Sequence, residues 1–128
     1  MNLAVWVQKQ GAANGERPAI SLGGTTALTY RRWAARSRVL AGSLQKLCKP
    51  EDRVAIAMTN RPEFLEAMFA IWHAGLVAVP MNAKLHSDEF KYIVEQSEAS
   101  LILTSPDLVE DVAPHGRTIV TDSAEWRK

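Results

Sequence analysis

Between Arg53 and Ser105 the sequence alternates short apolar runs with longer amphipathic ones, and this alternation limits the available folds more than any other feature. "RVAIAMT" is followed by "NRPEFLEAMFAIWHAG", then "LVAVPMN", then a segment opening at Ser87 and running to about Ser97, then "SLILTS". The short runs are almost continuously apolar. Strands read this way when helices cover both faces of their sheet, as in parallel sheets. Strand, helix, strand, helix, strand in that order predicts a parallel sheet joined by right-handed crossovers. The first helix is strongly signalled: Asn60 as cap, Pro62 in the first turn, Glu63 three residues after the cap, and Gly75 as a left-handed exit. Its apolar residues (Phe64, Leu65, Met68, Phe69, Ile71, Trp72) lie on more than one side, so it is expected to be buried against the sheet and a further layer. Ser87 is expected to cap the second helix, with Phe90, Ile93 and Val94 facing inward.

The segments before Arg53 read as additions to this unit. Asn2 to about Ala13 predicts a helix capped by Asn2, with Leu3, Val5, Trp6 and Val7 as its apolar side. "AISLGGTTALTY" predicts two short strands around Gly23 and Gly24. Thr29 is expected to cap a helix whose stripe is Trp33, Ser37, Leu40, Ala41, Leu44 and Leu47. After Ser105, "PDLVEDVAP" reads as a short helix or turn and "RTIVTD" as a last strand. The expected fold class is therefore α/β: three layers, a mostly parallel sheet flanked by helices, with an N-terminal helix and a short β-hairpin.

With 128 residues, 47% hydrophobic and 23% charged, the chain suits one globular domain with a real core. It has no apolar run of membrane-spanning length and no secretion-signal pattern at the start. The one cysteine, Cys48, cannot form an internal disulfide. It reads as a packed, passive thiol and fits a cytoplasmic setting. The net charge of +1 hides an asymmetry. Residues 1–50 hold eight Lys/Arg and one acid, Glu16, while residues 51–128 hold seven Lys/Arg and thirteen acids. Arg31, Arg32, Arg36 and Arg38 share one expected helix without interleaved exposed aromatics. That pattern fits a solvated face, or one meeting an acidic partner surface, better than a nucleic-acid site.

Ligands of open parallel sheets bind beyond the carboxyl ends of the strands. Those ends read "MTN", "PMN", "TSP" and "TDS", mostly amide and hydroxyl, with Asp122 the only acid. The sequence contains no G-x-G-x-x-G, no Walker-type phosphate loop and no G-x-S-x-G elbow. His73, His86 and His115 are scattered without partners at metal-ligand spacing. His73 reads as a helix C-terminal residue, and Asn60 and Asn82 as caps or turn formers. No catalytic residue and no metal ligand is assigned. The loop after "AVPMN" carries one cation, Lys84.

Several stretches resemble the N-terminal part of the adenylate-forming superfamily of acyl-CoA synthetases, peptide-synthetase activating domains and luciferases. These are "NLA…ERPAI", "ALTYRRW", "DRVAIAMTNRPEFLEAMFAIWHAG" and "VAVPMNAKLHSDEFKYIVEQSEASLIL". The pattern "WHAGLVAVPMNAKLHSDEF" is most similar to ligases of fatty or aromatic acids. The resemblance implies a two-step ligation in which a carboxylate attacks the α-phosphate of ATP and CoA then displaces AMP. ATP, Mg2+ and CoA are implied for the full-length enzyme, and no cofactor for residues 1–128 alone. The family's phosphate loop, aromatic-Gly-x-Thr-Glu stretch, ribose-binding aspartate and C-terminal lysine have no counterpart here. "LGGTT" lacks the lysine and falls in the hairpin. Residues 1–128 therefore read as a partial N-terminal domain ending before the phosphate loop, inactive alone and partnered by the remainder of its own synthetase chain. Self-association through the apolar helix 62–73 is a further expectation. Lys84 occupies the place where the resemblance implies a CoA phosphate contact; the plainer alternative is a solvated turn residue. A stand-alone α/β interaction or regulatory module is the rival reading, and a self-sufficient flavodoxin-like nucleotide binder the third.

Overall fold

The structure is a computed structural model that describes residues 3–22, 24–59 and 61–121. Its centre is a four-stranded sheet of β3 (Arg53–Ala57), β4 (Val77–Met81), β5 (Leu101–Thr104) and β6 (Thr118–Val120), in the order β4-β3-β5-β6. Every pairing is parallel, with Val54 opposite both Ala78 and Leu101. The connections are α3 (Pro62–His73), α4 (Ser87–Ser97) and a short α5 (Val109–Val112) continued by a 3-10 turn, Ala113–His115. The α/β expectation holds in order and direction, with the strands a residue or two shorter at their ends than the apolar runs.

The continuous apolar strands have a direct structural cause. Side chains alternate across a strand, and here both sides meet helices. Val54 and Ile56 of β3, with Leu101, Leu103 and Ile119, pack on Leu40, Ala41 and Leu44 of α2 (Tyr30–Leu47) and on Ala67, Ala70 and Ile71 of α3. Ala55, Ala57 and Ile102 face the other way, onto Phe90 and Val94 of α4 and Val112 of α5. Ile56, Ile71, Phe90 and Ile102 are wholly buried. Each such side chain contributes about 1.5–3 kcal/mol relative to exposure.

A further layer lies outside α2 and α3. The antiparallel hairpin β1 (Pro18–Leu22) and β2 (Thr25–Thr29) joins α1 (Ala4–Ala13) over a cluster of Val7, Ile20, Leu28, Trp33 and Ala34. Phe69 of α3 reaches this cluster edge-on to Trp33, with ring centroids 4.7 Å apart. The expected second contact of α3 is therefore α1, the hairpin and Trp33. Thr29 caps α2 by accepting from the Arg32 N–H at 3.3 Å. Gly75, at φ 78°, closes α3: its N–H donates to the Trp72 carbonyl and that of Leu76 to the Ile71 carbonyl, both at 3.0 Å. Those two bonds form a Schellman motif, which favours glycine at the left-handed position.

Two local expectations are corrected. On α1 the inward residues are Ala4, Val7 and Gly11, whereas Leu3, Val5 and Trp6 are exposed. The cause is close approach. A Cβ on Gly11 would stand 2.7 Å from the Ala34 Cβ, so α1 turns its small residues toward α2 and its bulky ones outward. At α4, Ser87 is the first helical residue and His86 the cap. Glu89 returns to accept from the His86 N–H at 3.2 Å. Ser87 is used elsewhere: its Oγ donates to the Asp111 carbonyl at 3.0 Å and lies 2.9 Å from His115 Nε2. A hydroxyl has one proton, so with that proton on Asp111 it accepts from His115. The contact pins α4 to α5 and leaves no activated nucleophile. The Asn2 and Asn60 caps, Gly23 and Asp122 lie outside the described residues.

Candidate ligand-binding site at the sheet edge

A cleft of about 580 Å³ lies beyond the carboxyl ends of β3 and β4. Met58 and Thr59 form one wall, Phe64 of α3 contributes an apolar flank, and Pro80, Met81 and Asn82 form the other wall. This is the sheet edge at which open parallel sheets receive ligands. Two local features shape it. Pro80 sits on β4, an edge strand of this sheet, where a missing N–H costs little. Asn82 then turns the chain back: its Oδ1 accepts from the Lys84 N–H at 2.9 Å, an Asx-type turn. This confirms Asn82 as a turn former and places Lys84 on the cleft rim. The Lys84 side chain is exposed and makes no ion pair among the described residues. A flexible ammonium there can meet a phosphate without fixed bidentate geometry.

The other half of the same edge is closed. Thr104, fully buried at the end of β5, donates through Oγ1 to the Ala57 carbonyl at 2.7 Å. Arg61, at the N-cap position of α3 but with no side-chain cap bond, donates through Nη1 to the Oγ1 of buried Thr121 at 3.0 Å and lies 3.8 Å from the Glu63 carboxylate. The exposed Asp107 carboxyl is held below the usual carboxylate range, chiefly by the Ser105 hydroxyl, with the Thr59 hydroxyl and the Arg61 charge adding. Sequence reading had not singled out Arg61 or Asp107. The available signal was position alone: Arg61 lies four residues after the end of β3 and Asp107 three after the end of β5.

The remaining sequence candidates have structural roles. Cys48 follows α2, and burial, ahead of the Asp52 charge, pushes its thiol up, as befits an unreactive cysteine. His73 ends α3. Glu66, buried between α2 and α3, is also pushed up by burial, against the Arg36 guanidinium 3.9 Å away. Among the described residues no group of three His, Cys, Asp or Glu side chains could hold a metal ion, and no helix is long and apolar enough to cross a membrane.

The comparisons with known proteins agree with this architecture. The feruloyl-CoA synthase of an Amycolatopsis species is 36% identical over 112 residues, covering 87% of this chain and 23% of the relative. A 2-succinylbenzoate–CoA ligase of Bacillus velezensis is 38% identical over 78 residues, covering 59% of this chain and 16% of the relative. The chain thus spans about a quarter or less of these relatives. In solved structures, the N-terminal domain of FACL13 from Mycobacterium tuberculosis superposes with a TM-score of 0.90 at 22% identity, covering all of this chain and 36% of that one. The o-succinylbenzoate CoA synthetase of Bacillus subtilis, in complex with its acyl-adenylate intermediate, gives 0.83 at 26% identity, covering 96% and 25%. A model of the AMP-binding enzyme family matches residues 7–128, nearly the whole described fold, and the chain belongs to that family.

Proposed function

We propose that these residues are the opening part of an AMP-forming acid–CoA ligase, supplying one sheet layer and one wall of the CoA enclosure. The observation that carries this reading is the asymmetric sheet edge: an open cleft rimmed by a single cation beside a half closed by protein contacts. Lys84 is the proposed contact for a CoA phosphate. The edge offers little to ATP and Mg2+: of its described carboxylates, Glu63 lies beside Arg61 and Asp107 stands alone and exposed. Nucleotide and magnesium are proposed to be held by later parts of the enzyme, and the adenylation and thioester steps to occur there. The acid activated is proposed to be aromatic or fatty, in keeping with the feruloyl and succinylbenzoate relatives. A cytoplasmic setting belongs to the same reading.

Exchange of labelled pyrophosphate into ATP tests it. The 128-residue chain should be silent with fatty and aromatic acids, and turnover by the chain alone would overturn the reading. In the longer enzyme, Lys84→Glu should raise the CoA concentration needed for thioester formation while sparing adenylate formation. Unchanged CoA dependence would remove Lys84 from the site.

A stand-alone interaction module draws support from a core that is filled on both faces of the sheet. Codons continuing past Lys128 into a Gly-rich phosphate loop would exclude it. Self-association through Pro62–His73 is part of the fragment reading. Leu65 is that helix's one large apolar residue among the prominently exposed ones, at 36%, so any such association should be weak.

A further inference from the structure

Glu66 is the one buried carboxylate among the described residues. It lies where α3 meets α2, beside a bond that already joins the two helices: the Trp33 indole N–H donates to the Leu65 carbonyl at 3.3 Å. One of the four arginines of α2 finds its partner here. Arg36 brings Nε to 3.9 Å from the Glu66 carboxylate, within ion-pair range but too far for a hydrogen bond. No hydrogen-bond donor among the described residues reaches that carboxylate. Ser37, on the buried stripe of α2 with Trp33 and Leu40, has a hydroxyl without a partner. The other charges that act on Glu66 are Arg32 of α2 and Glu63 of its own helix. The remaining elements packed on α3 bring apolar side chains: Val7 of α1, Ile20 of β1, Val54 and Ile56 of β3, and Ala78 of β4. The one charged residue of α1, Lys9, is exposed, and that of β3, Arg53, donates to the Ser97 carbonyl at the end of α4.

We propose that Glu66 makes the α2–α3 seam a proton-operated latch, looser when the carboxylate is charged and tighter when it is neutral. The inference is independent of the ligase reading, and the seam is interior to the fold whatever covers the outer surface. Its basis is an imbalance. A buried carboxylate loses its hydration, and one guanidinium at 3.9 Å does not replace the hydrogen bonds that water supplied. The charged form is therefore the disfavoured one. Burial accordingly raises the Glu66 carboxyl above its ordinary value, against the pull of Arg36 and Arg32. Protonation removes the buried charge and frees the partly exposed Arg36 to turn to solvent. The sign of the linkage follows. With the folded-state value raised, the seam gains stability as pH falls through that value, and the gain is complete below the unfolded-state one. The same helix carries Phe64, which flanks the open cleft, two residues before Glu66, so the latch acts on an element that borders the site.

A carboxyl-carbon NMR titration of the chain, with urea midpoints over the same pH range, tests the proposal. Glu66 should titrate above the usual carboxylate range. The Trp33 indole N–H resonance should shift with the same midpoint, because its bond to Leu65 crosses the seam. Glu66→Gln should abolish that shift, and its stability relative to the parent should fall as pH drops through the Glu66 value. Arg36→Gln should move the Glu66 titration higher still, since it removes the largest opposing charge. The parent titration and the Arg36→Gln titration keep Glu66 in place, so they decide the matter even where Glu66→Gln fails to fold. Titration of Glu66 at or below the usual range overturns the proposal. So does a Trp33 resonance that ignores the Glu66 titration, which would mean a buried acid without effect on the seam. A stability difference between parent and Glu66→Gln that is constant with pH, or an unmoved Glu66 titration in Arg36→Gln, likewise overturns it.

Discussion

The two halves of the sheet's carboxyl edge are built from similar residues and end in opposite states. Beyond β3 and β5 the chain spends its polar groups on itself: Thr104 on the Ala57 carbonyl and Arg61 on Thr121. Beyond β3 and β4 one side-chain bond, from the Lys84 N–H to Asn82, shapes the loop and leaves the cleft open. Strand-end hydroxyls and amides are therefore not a site in themselves. Whether a partner from the neighbouring crossover consumes them decides which half can receive a ligand.

Breaking the closed half should cost stability. The largest effect is expected from Thr104→Val, which keeps the shape and removes the buried donor to Ala57. A loss of about 1–2 kcal/mol should appear as a lower urea midpoint with unchanged slope. Arg61→Ala should cost about 1 kcal/mol, because it leaves the hydroxyl of buried Thr121 without the guanidinium. If both variants unfold like the parent, the contrast between the halves is not energetic.

The central sheet was legible because its signals were local or repetitive. Continuous apolar runs marked β3 and β5, and Gly75 fixed the end of α3 through the one conformation it favours. Thr29 was equally readable, its hydroxyl lying three residues before the N–H it caps. The outer layer was less legible because its rule is tertiary. Leu3, Val5 and Trp6 look like a buried stripe until Gly11 meets Ala34, and that approach depends on a residue 23 positions away. The closed half was hidden for the same reason. Arg61 and Thr121 are 60 residues apart, and no spacing pattern announces their meeting. Ser87 shows the intermediate case. The expected cap proves to be the first helical residue, one position after His86, and its side chain is taken by a partner on α5.

The acid limb sharpens the comparison further. The folded-state carboxyl of Asp107 is depressed, so its contribution is present above the unfolded-state value and is lost as pH falls through the folded one. Asp107→Asn should remove that part of the acid sensitivity, producing a small change in the difference between pH titrations of unfolding for the two proteins. The effect is small because the carboxyl is exposed and solvent screens it. A titration identical to the parent's would mean that Ser105 and Arg61 do not favour its charged form.

The smallest expected effect is at Lys84. Its backbone N–H is tied to Asn82, but its side chain stands free on the cleft rim, so Lys84→Ala keeps the turn and removes only the ammonium. Surface substitutions of this kind stay within about 0.5 kcal/mol, and the urea midpoint should match the parent's. A large loss would show the ammonium to be a structural contact, which would place the open half with the closed one. Asn82→Ala separates backbone from charge. It removes the acceptor that bends the loop, so it should move the Lys84 backbone resonances in an NMR spectrum while Lys84→Ala leaves the Asn82 turn in place. If those two perturbations coincide, the cleft is held open by the cation rather than by the turn.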